Sequence, residues 1–348
     1  MSSSNNYNYP FFSRILHKLA LGSSEILALF FKIEKKLFLQ KVKNHQPKSL
    51  FITGLARSGS TILLKSLNET GFFATLKYKD MPFITAPNLW SKINLFQKKI
   101  INRKERIHKD GIKIDEESPE AFEEIFWKSQ LNTLPSKKIL IKNAIYTKNI
   151  IKNFKNFINL VSLKENNKIY LSKNNSNILR IKILDEKIKK KKILILFRNP
   201  INQCFSLWKQ HINLIKLQKE DKFILDYMNM LCHYEFGLGH QPILLSNFKP
   251  IFDPLEVNYW IEYWLMIYSN LVKFAKNNNQ DVIFLSYETL TKSPELTIVK
   301  ILKTLDIDIK NHRNEIYNKE SFSKSLNLNK HIALKANRLY EQMKKYEI

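Results

Sequence analysis

The sequence predicts an α/β fold in which a mainly parallel central sheet is flanked by helices on both faces. Short runs rich in β-branched residues alternate with longer helical patterns, which indicates βαβ units. The run 191–197, KKILILF, is almost continuously apolar, as expected of a parallel strand buried on both faces. A length of 348 residues, 44% of them apolar, provides enough material for a large core.

The individual elements follow from the apolar runs and from the residues at their boundaries. Gly71 closes the helix after the first strand, and Pro119 (after Ser118) and Pro200 lie in the first turns of two later helices. We predict strands at 49–53, 137–142, 167–173, 191–197 and 280–287. We predict helices at 26–42, 60–70, 119–131, 177–188, 200–218 and 293–305.

No linker separates two domains, so we predict one main domain over residues 47–320. A helical extension at 1–46 precedes this domain, and a basic helical tail at 321–348 follows it. Within the domain, residues 219–262 are expected to form a helical insertion with an aromatic cluster.

The chain carries no obvious signal for a membrane span or for secretion. Its best apolar stretch, 26–42, is interrupted by Lys32, Glu34, Lys35 and Lys36. We interpret it as an amphipathic helix that docks on the protein's own core, with weak peripheral membrane contact as the alternative. The first residues lack the basic-then-apolar order of a secretory signal, so we expect a cytoplasmic protein. Nothing in the pattern indicates an oligomeric state.

The formal net charge of +26 suggests an anionic partner, but charge at particular positions is more informative. The basic residues are spread along the whole chain, so no nucleic-acid partner is expected. Cys204 and Cys232 fit neither a disulfide framework nor a metal-ligand spacing, which favours a reducing compartment. Three tryptophans lie at helical spacing, which favours a place in the hydrophobic core over stacking on a ligand: Trp208, Trp260 and Trp264.

The stretch SLFITGLARSGST, residues 49–61, resembles a phosphate-binding loop that lacks its lysine. A nucleoside-triphosphate loop has the pattern G-x-x-x-x-G-K-[ST], in which the lysine reaches the β- and γ-phosphates. Here Gly54 and Gly59 keep the glycine spacing, but Ser60 replaces the lysine and Arg57 supplies a cation three residues earlier. A P-loop-like fold with a different anionic ligand is therefore predicted.

The ends of the predicted strands are cationic. They lead into Lys142, Lys173 and Arg198, and the last strand leads into Tyr287–Glu288. Because the carboxyl ends of parallel strands meet at one edge of a sheet, these side chains are expected near the loop. We find no acidic ligand there suited to magnesium, so the sequence predicts an anion pocket that uses no metal.

Three motifs resemble those of the sulfotransferase superfamily. ITGLARSGSTIL (52–63) is similar to its 5′-phosphosulfate loop, in the version with arginine. ILILFRNPINQCFSL (193–207) is similar to its 3′-phosphate motif, with the spacing from Arg198 to Ser206 kept. FLSYETLTKSPE (284–295) is similar to a later strand-loop-helix of the family. The resemblance spans about residues 48–310 and is closest to the tyrosylprotein sulfotransferase-like and bacterial branch.

The resemblance implies the co-substrate 3′-phosphoadenosine 5′-phosphosulfate (PAPS) and a role for each matching residue. It implies that Arg57 binds the sulfuryl group and the 5′-phosphate, and that Lys173 neutralises the bridging oxygen, with Lys142 as the rival. The residues implied in binding the donor are Arg57, Ser58, Gly59, Ser60, Thr61, Arg198, Ser206 and Tyr287.

An acceptor hydroxyl needs a general base, and the sequence offers three candidates. The related branch has a glutamate about twenty residues after the loop arginine, and Asp80 is the carboxylate in that neighbourhood. His108 and Glu117 are the alternatives, His108 because an imidazole titrates near neutrality.

We therefore expect a sulfotransferase that moves a sulfuryl group from PAPS to an acceptor hydroxyl, in line and without a metal. The acceptor is a glycan, a small metabolite or a peptide tyrosine. One alternative is a P-loop kinase, which would need a magnesium-binding carboxylate at a strand end. Another is a basic nucleic-acid-binding protein without catalytic activity.

Overall fold

The structure is a computed structural model. It describes residues 11–42, 46–93, 104–105, 113–131, 146–245, 248–277, 281–309 and 328–348. The predicted strand at 137–142, together with Lys142 and His108, lies outside these residues. No helix in the described ranges combines the length and hydropathy that a bilayer span requires.

The described elements alternate along the chain as predicted. The strands are β1 Ser49–Thr53, β2 Phe73–Ala74, β3 Lys104–Glu105, β4 Lys113–Ile114, β5 Ile169–Lys173, β6 Lys191–Phe197 and β7 Val282–Ser286. The helices are α1 Phe11–Leu21, α2 Ser24–Phe38, α3 Ser60–Glu69, α4 Pro87–Ile93, α5 Glu123–Leu131, α6 Lys148–Lys164, α7 Ile181–Lys187, α8 Pro200–Glu220, α9 Lys222–Met230, α10 Val257–Asn277, α11 Tyr287–Lys292, α12 Pro294–Lys303 and α13 Lys330–Lys344.

The main sheet has five parallel strands in the order β2-β5-β1-β6-β7. β1 is central, with Ile52 opposite Lys173 of β5 and opposite Leu194 of β6. A separate antiparallel pair joins β3 to β4. The predicted α/β fold with a mainly parallel sheet is confirmed. The carboxyl ends of β5, β1 and β6 lie at one edge of the sheet, which carries Lys173, the β1–α3 loop and Arg198.

The two faces of the sheet carry two separate apolar clusters. Leu50 and Ile52 of β1 pack into the smaller cluster with α3 and α12, whereas Phe51 faces the larger one. This alternation follows from the two-residue period of a strand, and it gives three layers. Trp260 and Trp264 of α10 are fully buried in the larger cluster, which confirms their predicted place in the core.

Two predicted helical segments differ from what the structure shows. The helix predicted to begin at Pro119 begins at Glu123, because Pro119 pairs with Lys77 in an antiparallel bridge and the Glu120 N–H donates to Leu76 O at 3.1 Å. Pairing with the chain that follows β2 thus overrides the helix-start signal of the proline. In the predicted insertion 219–262, α9 is followed by irregular chain with a single 3₁₀ turn, Gly237–Gly239, before α10.

The terminal helices belong to the core of the fold. Leu27, Phe31 and Phe38 of α2 are buried in the larger cluster, as predicted for a helix that docks on the core. The buried Glu34 carboxylate accepts the backbone N–H groups of Asn88 and Leu89, both at 2.9 Å, and so caps α4. At the other end, α13 packs against α8 and α10.

Candidate active site

The loop between β1 and α3 is held in a tight backbone conformation. Gly54 has φ +127°, and a Cβ there would lie 2.2 Å from Leu196 O, so the loop approaches β6 more closely than any side chain allows. Arg57 has φ +67° although it is not glycine, a left-handed conformation that is strained. Gln203 of α8 supports the loop by donating to Ala56 O at 2.9 Å.

The end of the loop opens the N-terminus of α3. Gly59 is the N-cap residue, with φ +88°, and no side chain of the described residues caps the helix there. The hydroxyl of Ser58 is buried and has no hydrogen-bond partner in the described structure. Ser60 and Thr61 follow in the first turn, with Ser60 buried. The free N–H groups, the helix dipole and an unpartnered hydroxyl form a site for an anion.

Arg57 and Ser206 are in direct contact, although 149 residues separate them. The Arg57 Nε donates to Ser206 Oγ at 3.0 Å. Ser206 lies two turns into α8, and α8 begins directly after the Arg198–Asn199 turn. The structure therefore brings into contact two motifs that are far apart in the sequence.

Arg198 and Tyr287 form the second contact between motifs. The Arg198 Cζ lies 4.4 Å from the centre of the Tyr287 ring, a cation–π geometry. The same ring packs so closely on Gly59 that a Cβ at Gly59 would lie 2.6 Å from Tyr287 Cδ2. Burial lowers the pKa of Arg198, but a guanidinium remains charged in proteins. Its Nε is buried and without a hydrogen-bond partner in the described residues.

Glu288, the acidic residue after β7, holds the turn that carries Arg198. Its Oε1 accepts the Asn199 N–H at 3.0 Å, and its Oε2 accepts the Tyr340 hydroxyl at 3.0 Å. Both carboxylate oxygens thus have protein donors. This glutamate holds the Arg198–Asn199 turn, and α13 takes part through Tyr340.

Lys173 ends β5 next to β1. It is buried, with 9% of its surface exposed, and the Asn174 N–H that follows it donates to Ile52 O at 3.0 Å. The Thr53 hydroxyl donates to Asn174 O at 3.0 Å. The backbone after Lys173 is therefore tied to the last residues before the β1–α3 loop, which places this lysine at the edge where the prediction puts it.

A buried polar network next to Lys173 was not predicted. The Glu123 carboxylate accepts bonds from the side chains of Trp127, Tyr170, Asn174 and Asn177, at 2.8–3.2 Å. Glu124 accepts from Asn174 and pairs with the buried Arg180. The network fixes the end of β5. The one local signal for it is the Asn-Asn pair after Lys173, since its acids lie about 50 residues away in the chain.

Asp80 is engaged in structural contacts. It is 2% exposed, and its Oδ2 accepts the Lys77 N–H at 2.8 Å and the Lys164 ammonium at 2.5 Å. A buried carboxylate that already holds an ammonium group is closed to an acceptor hydroxyl. A base role for Asp80 remains a prediction that these contacts do not favour.

Glu117, an alternative base, is an exposed partner of lysines. Burial alone would raise the pKa of its carboxyl, but the hydrogen bonds and charges of Lys79 and Lys77 hold this pKa below the ordinary value. Its Oε2 lies 2.9 Å from Lys79 Nζ and 3.4 Å from Lys77 Nζ. Like Asp80, it is occupied by a cation.

The fold and this cationic loop edge define an α/β protein with an anion site at the carboxyl edge of its parallel sheet. Residues 47–345 match the model of the sulfotransferase domain, so the chain belongs to the sulfotransferase family. The match includes α13, which lies beyond the predicted domain end at residue 320. No curated protein matches the chain significantly.

Two solved structures have a similar fold. Sulfotransferase STF9 from Mycobacterium avium has a TM-score of 0.52 at 11% identity, over 87% of this chain and 74% of that chain. Sulfotransferase STF1 from Mycobacterium tuberculosis H37Rv has a TM-score of 0.53 at 11% identity, over 88% of this chain and 80% of that chain. At this identity the likeness shows the fold alone.

Proposed function

We propose that the protein transfers a sulfuryl group from PAPS to an acceptor hydroxyl. The observation that carries this proposal is the contact between the motifs: Arg57 bonds Ser206, and Tyr287 packs on both Arg198 and Gly59. Two guanidinium groups and an open helix N-terminus therefore share one edge of the sheet. Such a site suits a ligand with anionic groups at two ends.

The buried polar atoms at this edge fit the donor. Ser58 Oγ and Arg198 Nε are buried without partners in the described structure, and an anion oxygen would satisfy both. The 5′ end of the donor would lie at the N-terminus of α3 beside Arg57. Its 3′-phosphate would bind Arg198, and the hydroxyl of Ser206 on α8 would add a hydrogen bond.

The chemistry assigned to these residues is electrostatic. As the bond between sulfur and the bridging oxygen breaks, negative charge grows on the 5′-phosphate. Arg57, the α3 N–H groups and Lys173 would stabilise that charge with fixed donors, which is worth several kcal/mol at a preorganised site. We propose that the transfer is in line and requires no metal.

Family membership favours sulfuryl transfer over the two alternatives. A kinase would bind magnesium through a carboxylate at a strand end; Glu288, which follows β7, does not supply one, because both of its oxygens have protein donors. Nucleic-acid binding would leave the contacts between the three motifs without a role. The acceptor class (glycan, small metabolite or peptide tyrosine) and a cytoplasmic location stay predictions.

A thermal-shift titration with 3′-phosphoadenosine 5′-phosphate (PAP) in EDTA tests the proposal. A ligand that binds the folded state alone adds about 2.7 kcal/mol of stability at one hundred times its Kd. We expect this stabilisation for the wild type, a large reduction in Arg198→Ala and no reduction in Arg338→Ala, which removes an exposed arginine of α13. Equal shifts with ATP–magnesium and with PAP would contradict PAPS dependence.

A further inference from the structure

A carboxylate outside the three motifs lies beside the end of β5. The Asn175 Nδ2 donates to Glu235 Oε1 at 3.0 Å. Asn175 is two residues after Lys173, in the 3₁₀ turn Asn175–Leu179 whose preceding residue, Asn174, is bonded to Thr53 of β1. Glu235 is thus held at the sheet edge that also carries the loop.

The segment that carries Glu235 also contacts α8. The Gly237 N–H donates to His211 Nδ1 at 3.1 Å, and His211 follows Ser206 on the same helix. The His240 ring bonds Glu235 O at 2.8 Å, which fixes the backbone of Glu235 itself. Glu235 therefore lies between the helix with Ser206 and the strand with Lys173, the two elements on either side of Arg57 in the proposed donor site.

Glu235 combines partial exposure with a carboxylate oxygen that has no partner in the described residues. It is half-buried, and its Oε2 has no partner among the described residues. By contrast, Glu123 is fully buried with four donors, Glu124 pairs with Arg180, and Asp80 pairs with Lys164. Of these four carboxylates, only Glu235 is both partly exposed at the cationic edge and free of an ion pair.

We propose that Glu235 is the general base for the acceptor hydroxyl, an inference that rests on the proposed function. A lone pair of the acceptor oxygen forms the new bond to sulfur, and the bond from sulfur to the bridging oxygen breaks. The electron pair of that bond stays on the 5′-phosphate of the departing PAP. The acceptor proton passes to Glu235 Oε2 and then to water.

His233 is the rival within the same segment. Its Nε2 lies 3.3 Å from Ala121 O, in the chain that leads into α5, so its ring is engaged by a backbone carbonyl. The Asn175 contact places Glu235, and not His233, next to the residue that follows Lys173 by two positions. The test therefore includes both side chains.

A crystal structure of Glu235→Gln with PAPS tests the geometry directly. The acceptor oxygen must lie about 3.3 Å from the sulfur and within hydrogen-bond reach of the base, so the base must lie close to the sulfur. We expect the residue 235 side-chain oxygen within about 6.5 Å of the sulfur, with an open space between them. A separation above about 9 Å, or a side chain of His233 in that place, overturns the inference.

Hydrolysis of PAPS, with water as the acceptor, gives the second measurement. We expect Glu235→Gln to release PAP at least 100-fold more slowly than the wild type, which is the usual range for loss of a general base. Glu69→Gln is the matched control, because Glu69 is exposed at the far end of α3, about 15 Å from the loop. A loss in His233→Asn with none in Glu235→Gln assigns the role to His233.

Binding of PAP separates failure of this inference from failure of the proposed function. If Glu235 is the base, Glu235→Gln binds PAP with the wild-type affinity, which also shows that the variant is folded. If the wild type binds no PAP, the proposed function itself is wrong. If PAP binds while Glu235→Gln keeps the wild-type rate of PAPS hydrolysis, the function stands and the base is elsewhere.

Discussion

Gly59 connects the three motifs through a single contact. Its missing side chain lets the Tyr287 ring lie against the start of α3, and the other part of that ring supports Arg198. The left-handed φ of +88° adds a second reason for glycine at this position. At the scale of one residue, the packing of a ring on a glycine thus sets the distance between the loop and the second cation.

Gly59→Ala should therefore weaken PAP binding, in addition to the loss of folding stability that the backbone strain of a left-handed alanine causes. A left-handed alanine costs about 1–2 kcal/mol at any site. Gly71→Ala is the matched control, because Gly71 has φ +79° but open space where a Cβ would lie. We expect similar strain in both, as measured by urea unfolding, but at least a tenfold loss of PAP affinity in Gly59→Ala alone. Equal PAP affinity in the two variants would contradict this role of Tyr287.

The site residues differ in how far the sequence could reveal them. The positions of Arg57, Arg198 and Ser206 follow from strand–loop–helix patterns that are local, so the sequence could place them at one edge. The environment of Asp80 could not be predicted, because the ion pair that buries it comes from Lys164, 84 residues away. Glu235 carries no local signal at all, since its contact with Asn175 spans 60 residues.

Two histidines, the buried His211 and the partly buried His240, hold the irregular segment between α9 and α10 in place. His240 directs Nδ1 to Glu235 O, so Nδ1 carries the hydrogen and Nε2 accepts from the Tyr259 hydroxyl at 2.8 Å. His211 Nδ1 accepts the Gly237 N–H. Burial lowers the pKa of each ring to about 4. The element that carries Glu235 thus depends on both rings being neutral.

Acid should therefore weaken this element. A histidine in the unfolded chain has a pKa near 6.5, so between pH 6.5 and pH 4 the unfolded chain binds more protons than the folded one. The free energy of unfolding therefore decreases as the pH is lowered through this range. We expect the free energy of unfolding in urea to fall by about 1–3 kcal/mol from pH 7 to pH 5. His211→Asn keeps an acceptor for Gly237 and should reduce the fall, and His331→Gln, at an exposed position, should not. A fall unchanged in His211→Asn would contradict the assignment.

The elements were predicted best where one local pattern decides them. β1, β6 and α8 lie where apolar runs and Pro200 placed them. The start of α5 was wrong because Lys77, from another part of the chain, pairs with Pro119. The stretch after α9 shows the same limit, since its shape depends on side chains of α8 and α10 that its own pattern does not encode.

At the scale of the whole molecule, the parallel sheet turns a scattered positive charge into a site. The formal net charge of +26 is spread over the sequence, but strand order brings β5, β1 and β6 side by side. The chain segments that follow them carry Lys173, Arg57 and Arg198 to one edge. The functional prediction therefore depended on the predicted sheet. The terminal helices were predicted as additions to the domain, but α2 completes the core and α13 bonds Glu288 through Tyr340.

Calorimetric titration with PAP and with adenosine 5′-phosphate, which lacks the 3′-phosphate, tests the central claim most directly. A charged hydrogen bond is worth about 1.5–3 kcal/mol, so we expect the wild type to bind PAP about 10–100 times more tightly than adenosine 5′-phosphate. Arg198→Ala should reduce that preference to about threefold or less, whereas Arg57→Ala should weaken both nucleotides alike. Equal affinity of the wild type for the two nucleotides, or a preference that survives in Arg198→Ala, would contradict recognition of one donor at both ends.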